Sequence, residues 1–193
     1  MKKLYHSKLL LIMMVFSATL LNSCRDEIEV FQIARIPTFS FSNDNMNTQR
    51  AEKVNLFQGK TVIHYYTDGS SEVFNRYLVT AAGKNTAGNE FTVNIEFDLV
   101  KGTNFIGTYR PEYKKGYGGL YSFNYVEKAG NTYKTYDLDS LSLGDDFVRV
   151  ERQNMEEKLV LGDFFAKLQN EKNPEEKITF YEGTFKDLSY VLE

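Results

Sequence analysis

A chain of 193 residues with one cysteine, two histidines and no tryptophan excludes an internal disulfide and a zinc centre of the usual Cys/His kind. Its formal net charge of −3 argues against a nucleic-acid partner, because binding phosphates needs a basic surface.

The N-terminus reads MKKLYHSKLLLIMMVFSATLLNSC. Lys2, Lys3 and Lys8 form a basic n-region ahead of an apolar run from Leu9 to Leu21, too short for a comfortable transmembrane helix. This layout predicts a secretory leader over residues 1–23. Leu21-Asn22-Ser23-Cys24 resembles the lipobox of bacterial lipoproteins, with an aliphatic residue at −3, a small one at −1 and the required cysteine. The resemblance implies cleavage before Cys24, a diacylglycerol thioether on its sulfur and a further acyl chain on the new amino group. Cys24 is thus expected to be a membrane tether, since two or three chains anchor a protein stably where one does not. No other cofactor is expected. Arg25-Asp26-Glu27 resembles the signal that sends some Bacteroidota lipoproteins to the outer face of the outer membrane, so a surface-facing anchor is favoured over a periplasmic one.

Cleavage leaves 170 residues, with 20 basic against 26 acidic side chains, a balance of −6. That length suits one domain. The 15 Phe and 13 Tyr beside only three Pro favour turn-linked strands. Residues 24–35 read as a lipidated terminus and tether, and 36–193 as a single β domain. Ile36 to Phe41 is a first short strand, and polar residues 42–58 read as a long connection. TVIHYYT and EVFNRYLVT flank Asp68-Gly69, a dipeptide that favours a type I′ hairpin turn. Phe91, Val93, Ile95, Phe97 and Leu99 alternate with Thr92, Asn94, Glu96 and Asp98, the pattern of a strand with one apolar and one wet face. Tyr121, Phe123 and Tyr125 share one face of the next strand. Asn154 to Lys172 has helical features, but Gly162 mid-helix would cost about 1 kcal/mol. A strand over 158–168 is favoured, with Val160, Phe164, Ala166 and Leu168 on one face.

Within residues 147–192, Gly162-Asp163-Phe164 and Gly183-Thr184-Phe185 repeat a Gly-x-Phe pattern, and outside them Gly107-Thr108-Tyr109 is a looser instance. The stretch resembles the C-terminal strands of small Bacteroidota-type lipoproteins of unknown function with a β-sandwich or calycin-like domain, a family that brings no known activity. A glycine inside a strand marks a bulge or a close approach, here with an aromatic ring packed over the gap.

Catalytic motifs are sparse. Beyond the leader, His64 is the remaining histidine, and it sits in a strand with no nucleophile elbow. Asp137, Asp139, Asp145 and Asp146 crowd one segment, but Leu141 and Ser142 break the EF-hand order, so a turn with solvated aspartates is expected and no metal. The best candidate surface is TYRPEYKKGYGGLY, Thr108 to Tyr121. There Tyr109, Tyr113, Tyr117 and Tyr121 offer flat contact area, and Arg110, Lys114 and Lys115 offer cations. Core tyrosines with a solvated turn are the plainer alternative.

The expected fold is therefore all-β, an antiparallel β-sandwich or calycin-like barrel of roughly eight to ten strands. The expected function is that of a non-enzymatic, lipid-anchored envelope protein binding a protein or glycan at the outer membrane. The alternative is a carrier of a small apolar ligand in a barrel cavity, and a carboxylate hydrolase comes third.

Overall fold

The computed structural model describes residues 36–44, 47–101, 104–139 and 144–190. The leader, Cys24, Arg25-Asp26-Glu27 and the tether lie outside the described residues, as do 140–143 in the aspartate-rich segment. Ten strands follow one another: β1 Thr38–Ser42, β2 Thr48–Tyr65, β3 Ser71–Lys84, β4 Glu90–Val100, β5 Gly107–Tyr109, β6 Gly118–Ala129, β7 Thr132–Leu138, β8 Phe147–Asn154, β9 Leu159–Asn170 and β10 Lys177–Ser189. Every pairing between them is antiparallel. Hydrogen-bonded neighbours run β10-β1-β2-β3-β4-β6-β7-β9-β8-β5, and β9 pairs again with β10. This is the all-β antiparallel sheet expected, consistent with a β-sandwich.

Short turns make the meander possible. At β2–β3 the Tyr66 N–H reaches the Ser70 carbonyl at 2.8 Å and the Gly69 N–H reaches the Tyr66 carbonyl at 3.0 Å. Only Gly69 there has positive φ, at 82°. That is a three-residue loop with a left-handed glycine, and not the type I′ turn that Asp68-Gly69 suggested, which needs both central residues left-handed. Asp68 takes a different task, accepting the Ser70 N–H at 2.9 Å. The β3–β4 turn repeats the design, with Gly88 in the place of Gly69.

The inner faces meet in an interior filled by rings. Phe41 stacks on Phe180 at 4.2 Å and Phe39 on Phe164 at 4.9 Å. Phe91, Phe97, Phe123, Tyr125 and Phe185 are buried with them. The two Gly-x-Phe motifs interlock across β9 and β10. Phe164 lies opposite Gly183, and Phe185 opposite Gly162. A Cβ on Gly183 would collide with the Phe164 ring, and one on Gly162 with the Arg149 carbonyl and the Phe185 ring. Each motif thus supplies the gap that the other motif's phenylalanine fills. A sequence read along one strand cannot show this exchange.

Several expectations are corrected. Residues 42–58 are largely the start of β2, whose Val54 and Leu56 are buried although the stretch reads as polar. Burial on alternate positions outweighs composition there. Tyr121 leaves the face of Phe123 and Tyr125 because the β4–β6 register shifts between Glu96 and Phe97. Ser122 pairs with Glu96 and Leu120 with Phe97, so Tyr121 is the extra residue of a bulge and turns outward, 54% exposed. Phe91, Val93, Ile95, Phe97 and Leu99 are buried as expected, but Asp98 on the supposed wet face is also buried. Asn154 to Lys172 contains the favoured strand, with Val160, Phe164, Ala166 and Leu168 inside.

Candidate functional site

The Thr108–Tyr121 segment spends most of its side chains internally. Tyr109 is fully buried, and its hydroxyl donates to the Phe105 carbonyl at 2.8 Å. Burial drives its phenol pKa well above the ordinary value. Tyr117 stacks on Tyr109 at 5.2 Å. Tyr113 stacks on His64 at 4.4 Å and meets the edge of Phe74 at 5.8 Å. Arg110, Lys114, Lys115 and Tyr121 remain at the surface.

Beneath this segment lies a polar network centred on Arg76 and Asp98. Arg76 and Asp98 are cross-strand partners on β3 and β4, and their side chains form a two-pronged pair at 2.7 and 2.9 Å. The Tyr113 hydroxyl donates to the same carboxylate at 2.5 Å. The Arg76 guanidinium lies 3.2 Å above the Tyr121 ring, so the bulge that turned Tyr121 outward gives the cation an aromatic cover. Bonding to Asp98 raises the already high Arg76 pKa, and burial works against it. At the loop's edge the Lys115 ammonium donates to Asp68 at 3.1 Å and to the Ser70 hydroxyl at 2.9 Å. The Gly116 N–H points between the two Glu72 oxygens at 2.9 and 2.8 Å. Glu72 also accepts the Tyr66 hydroxyl at 2.6 Å, and desolvation followed by that bond pushes the Tyr66 phenol up to about 12. Together these contacts clamp the segment onto the outer face of the β2–β3 hairpin. The tyrosines read as a contact surface therefore act largely as a buttress. On the hairpin itself Ile63, Tyr65 and Val73 are exposed.

The aspartate-rich segment also departs from expectation. Asp139 and Asp146 are buried, not solvated. Both clasp Lys167 of β9: the Asp139 N–H donates to its carbonyl at 2.8 Å, and its N–H donates to Asp146 Oδ1 at 2.7 Å. Asp146 Oδ2 is buried with no hydrogen-bond partner. Burial, with smaller help from Asp145 and Asp139, raises the Asp146 carboxyl to about 6 despite its bond from Lys167. Among the described residues no three His, Cys, Asp or Glu side chains are grouped to hold a metal ion.

A second outward surface went unread in the sequence. Phe147 lies opposite Phe165 on β8 and β9, and Tyr181 of β10 packs against Phe165. Tyr181 pairs with Ser42 of β1, which pairs with Thr48 of β2. These five residues form one row across five strands, roughly 20 Å long at the usual strand spacing. Ring centroids are 6.4 Å apart for Phe147 and Phe165, and 6.0 Å for Phe165 and Tyr181. A cleft of about 520 Å³ opens beside the row, lined by Ser42, Asp44, Thr48, Phe165, Tyr181 and Glu182 among others. Arg110 reaches this surface too, 5.6 Å above Phe147, while donating to the Gly144 carbonyl at 3.0 Å. The signal for this surface in the sequence was the odd-numbered spacing of Phe147 and Phe165 relative to buried Val148 and Phe164, which puts both rings on the outer face, half-buried, beside the exposed Tyr181.

No family model, curated protein or solved structure matches this chain.

Proposed function

We propose that the chain is a non-enzymatic, lipid-anchored protein of the cell envelope, a small lipoprotein of the Bacteroidota type, held through diacylglycerol and acyl chains on Cys24. It faces outward from the outer membrane and uses its β scaffold to bind a protein or glycan. The leader and the Leu21–Cys24 motif support the anchor. The observation that carries the binding reading is the outward aromatic row. The interior is already filled by Phe39, Phe41, Phe164 and Phe180, so Phe147, Phe165 and Tyr181 are not needed to complete it. A contiguous aromatic patch on an outer face, with Tyr181 exposed, supports contact with a partner, since interfaces are enriched in such rings. The packed interior gives the ligand-carrier reading no comparable support.

The test compares producing cells expressing the wild type with cells expressing Cys24→Ala. The wild type is expected in the membrane fraction and open to protease on intact cells, and the variant in the soluble fraction. A Cys24→Ala protein as firmly membrane-bound as the wild type would refute the anchor. A wild type protected until the outer membrane is broken would refute the outward orientation.

A further inference from the structure

The cleft beside Phe165 and Tyr181 combines features that suit one class of ligand. It is lined by two aromatic rings, with Tyr181 standing at 67° to Phe165. The lining also includes the hydroxyl residues Ser42 and Thr48 and the carboxylates Asp44 and Glu182. A pyranose ring matches such a lining. One face presents C–H bonds, which rest on the electron-rich face of an aromatic ring, and its edge presents hydroxyls that need donors and acceptors.

Local backbone geometry builds this arrangement. The β10 register shifts against both β1 and β9 around Tyr181 and Glu182. Glu182 has φ of 48°, a left-handed conformation that a residue with a Cβ adopts only when its surroundings enforce it. The result is that Tyr181 and Glu182, although successive, are both exposed and both line the cleft. A regular strand would have sent one of them inward. Asp44 is fixed by accepting the Thr179 N–H at 2.8 Å.

Charge narrows the class. Beside the row, Arg149 is paired with Asp163 at 2.7 Å and Lys167 with Asp145 at 2.6 Å. Arg149 and Lys167 are thus neutralised, Arg110 stands over Phe147 at the end of the row away from the cleft, and the cleft itself holds the acids Asp44 and Glu182. An anionic ligand would be repelled there. A neutral one would find acceptors for its hydroxyl protons.

We propose that this cleft, continued along the Phe147–Thr48 row, binds a neutral oligosaccharide. The inference rests on the partner-binding reading above and specifies its ligand and its place. The experiment uses the full-length protein in a sugar-free detergent on an array of neutral hexose oligosaccharides and uronic-acid oligosaccharides. Binding to neutral members is expected. Tyr181→Ala and Phe165→Ala are each expected to weaken it by about tenfold, the loss of one good aromatic contact. Tyr65→Ala, on the β2–β3 hairpin, serves as the control and is expected to leave binding unchanged. Two substitutions in the row guard against misfolding of either one, and circular dichroism of each confirms the fold. Failure to bind any neutral glycan, undiminished binding in both row variants, or preference for the uronic acids would overturn the inference. A photo-crosslinker at position 181 on intact cells then separates the two readings. If the array stays blank and the crosslinker captures a protein, the saccharide inference falls and the partner-binding reading stands. If the array stays blank and nothing is captured, both fall.

Discussion

Asp146→Asn tests how the aspartate clasp is held. In the wild type the Asp146 carboxyl accepts the Lys167 N–H through Oδ1, and Oδ2 is buried without a partner. Its pKa rises from the ordinary 3.8 to about 6, first from burial and then from Asp145 and Asp139, partly offset by the Lys167 bond and charge. Asp139 is in turn paired with Lys177 at 2.7 Å, and Asp145 with Lys167, so the neighbouring ammonium groups are engaged by the other two aspartates. A raised carboxyl pKa means that the folded state holds the proton more tightly than the unfolded chain does. The penalty for ionising Asp146 is therefore absent below pH 3.8, grows between there and about 6, and is complete above 6. At 1.36 kcal/mol per unit the full shift would correspond to about 3 kcal/mol, which solvent screening close to the surface reduces to about 1–2 kcal/mol. Asparagine keeps an acceptor for the Lys167 N–H and carries no charge. Urea unfolding of both proteins at pH 4, 5, 6 and 7.5, followed by circular dichroism, reads the difference. The variant should gain on the wild type by about 1–2 kcal/mol from pH 4 to pH 7.5, with the change finished by about pH 6.5. A stability difference that stays constant across this range would refute the reasoning.

Other substitutions probe the packing and the buttress. Gly162→Ala and Gly183→Ala each place a methyl group against a neighbour that cannot yield cheaply, the Arg149 backbone or the buried Phe164 ring. Each should lower stability by about 3 kcal/mol or more, read as a shift in the urea midpoint, and a loss below about 1 kcal/mol would contradict the interlocked motifs. Asp98→Ala leaves the Arg76 cation, 12% exposed at its side chain, without its main partner. A loss of about 2–4 kcal/mol is expected, whereas Tyr121→Ala should cost about 1 kcal/mol by removing only the ring over the cation. Equal losses would show that the ion pair is not the centre of the network. Tyr109→Phe removes the hydroxyl bond to Phe105 and should cost about 1 kcal/mol in thermal or urea unfolding; no change would mean that this bond contributes nothing net.

Much of the strand pattern was legible because alternation is a local signal. Phe91 to Leu99 and Val160 to Leu168 each carry their apolar side chains at every second position, and burial follows that period directly. Where the period is broken by an inserted residue the reading failed, as at Tyr121, because a bulge is set by the register of two strands and leaves no mark on one of them. The start of β2 was missed for a related reason: half its residues face solvent, and their polarity masks Val54 and Leu56. The tyrosines of the candidate segment were noticed rightly as unusual, yet whether they face out or in depends on His64, Phe74 and Asp98, which come from strands distant in sequence. The row from Phe147 to Thr48 draws on five strands, and alternation along single strands marked only Phe147 and Phe165 of it.

By itself the sequence determined the strand-rich class, the absence of an internal disulfide, and the glycines that mark close approach. These follow from residue type and short-range periodicity, which act over a few neighbours along the chain. Only the tertiary structure decided which motif's phenylalanine fills which glycine's gap, which aspartates lose their water, and which aromatic rings stay outside. Those outcomes depend on strand register, and register is settled by contacts between segments as far apart as Ser42 and Tyr181.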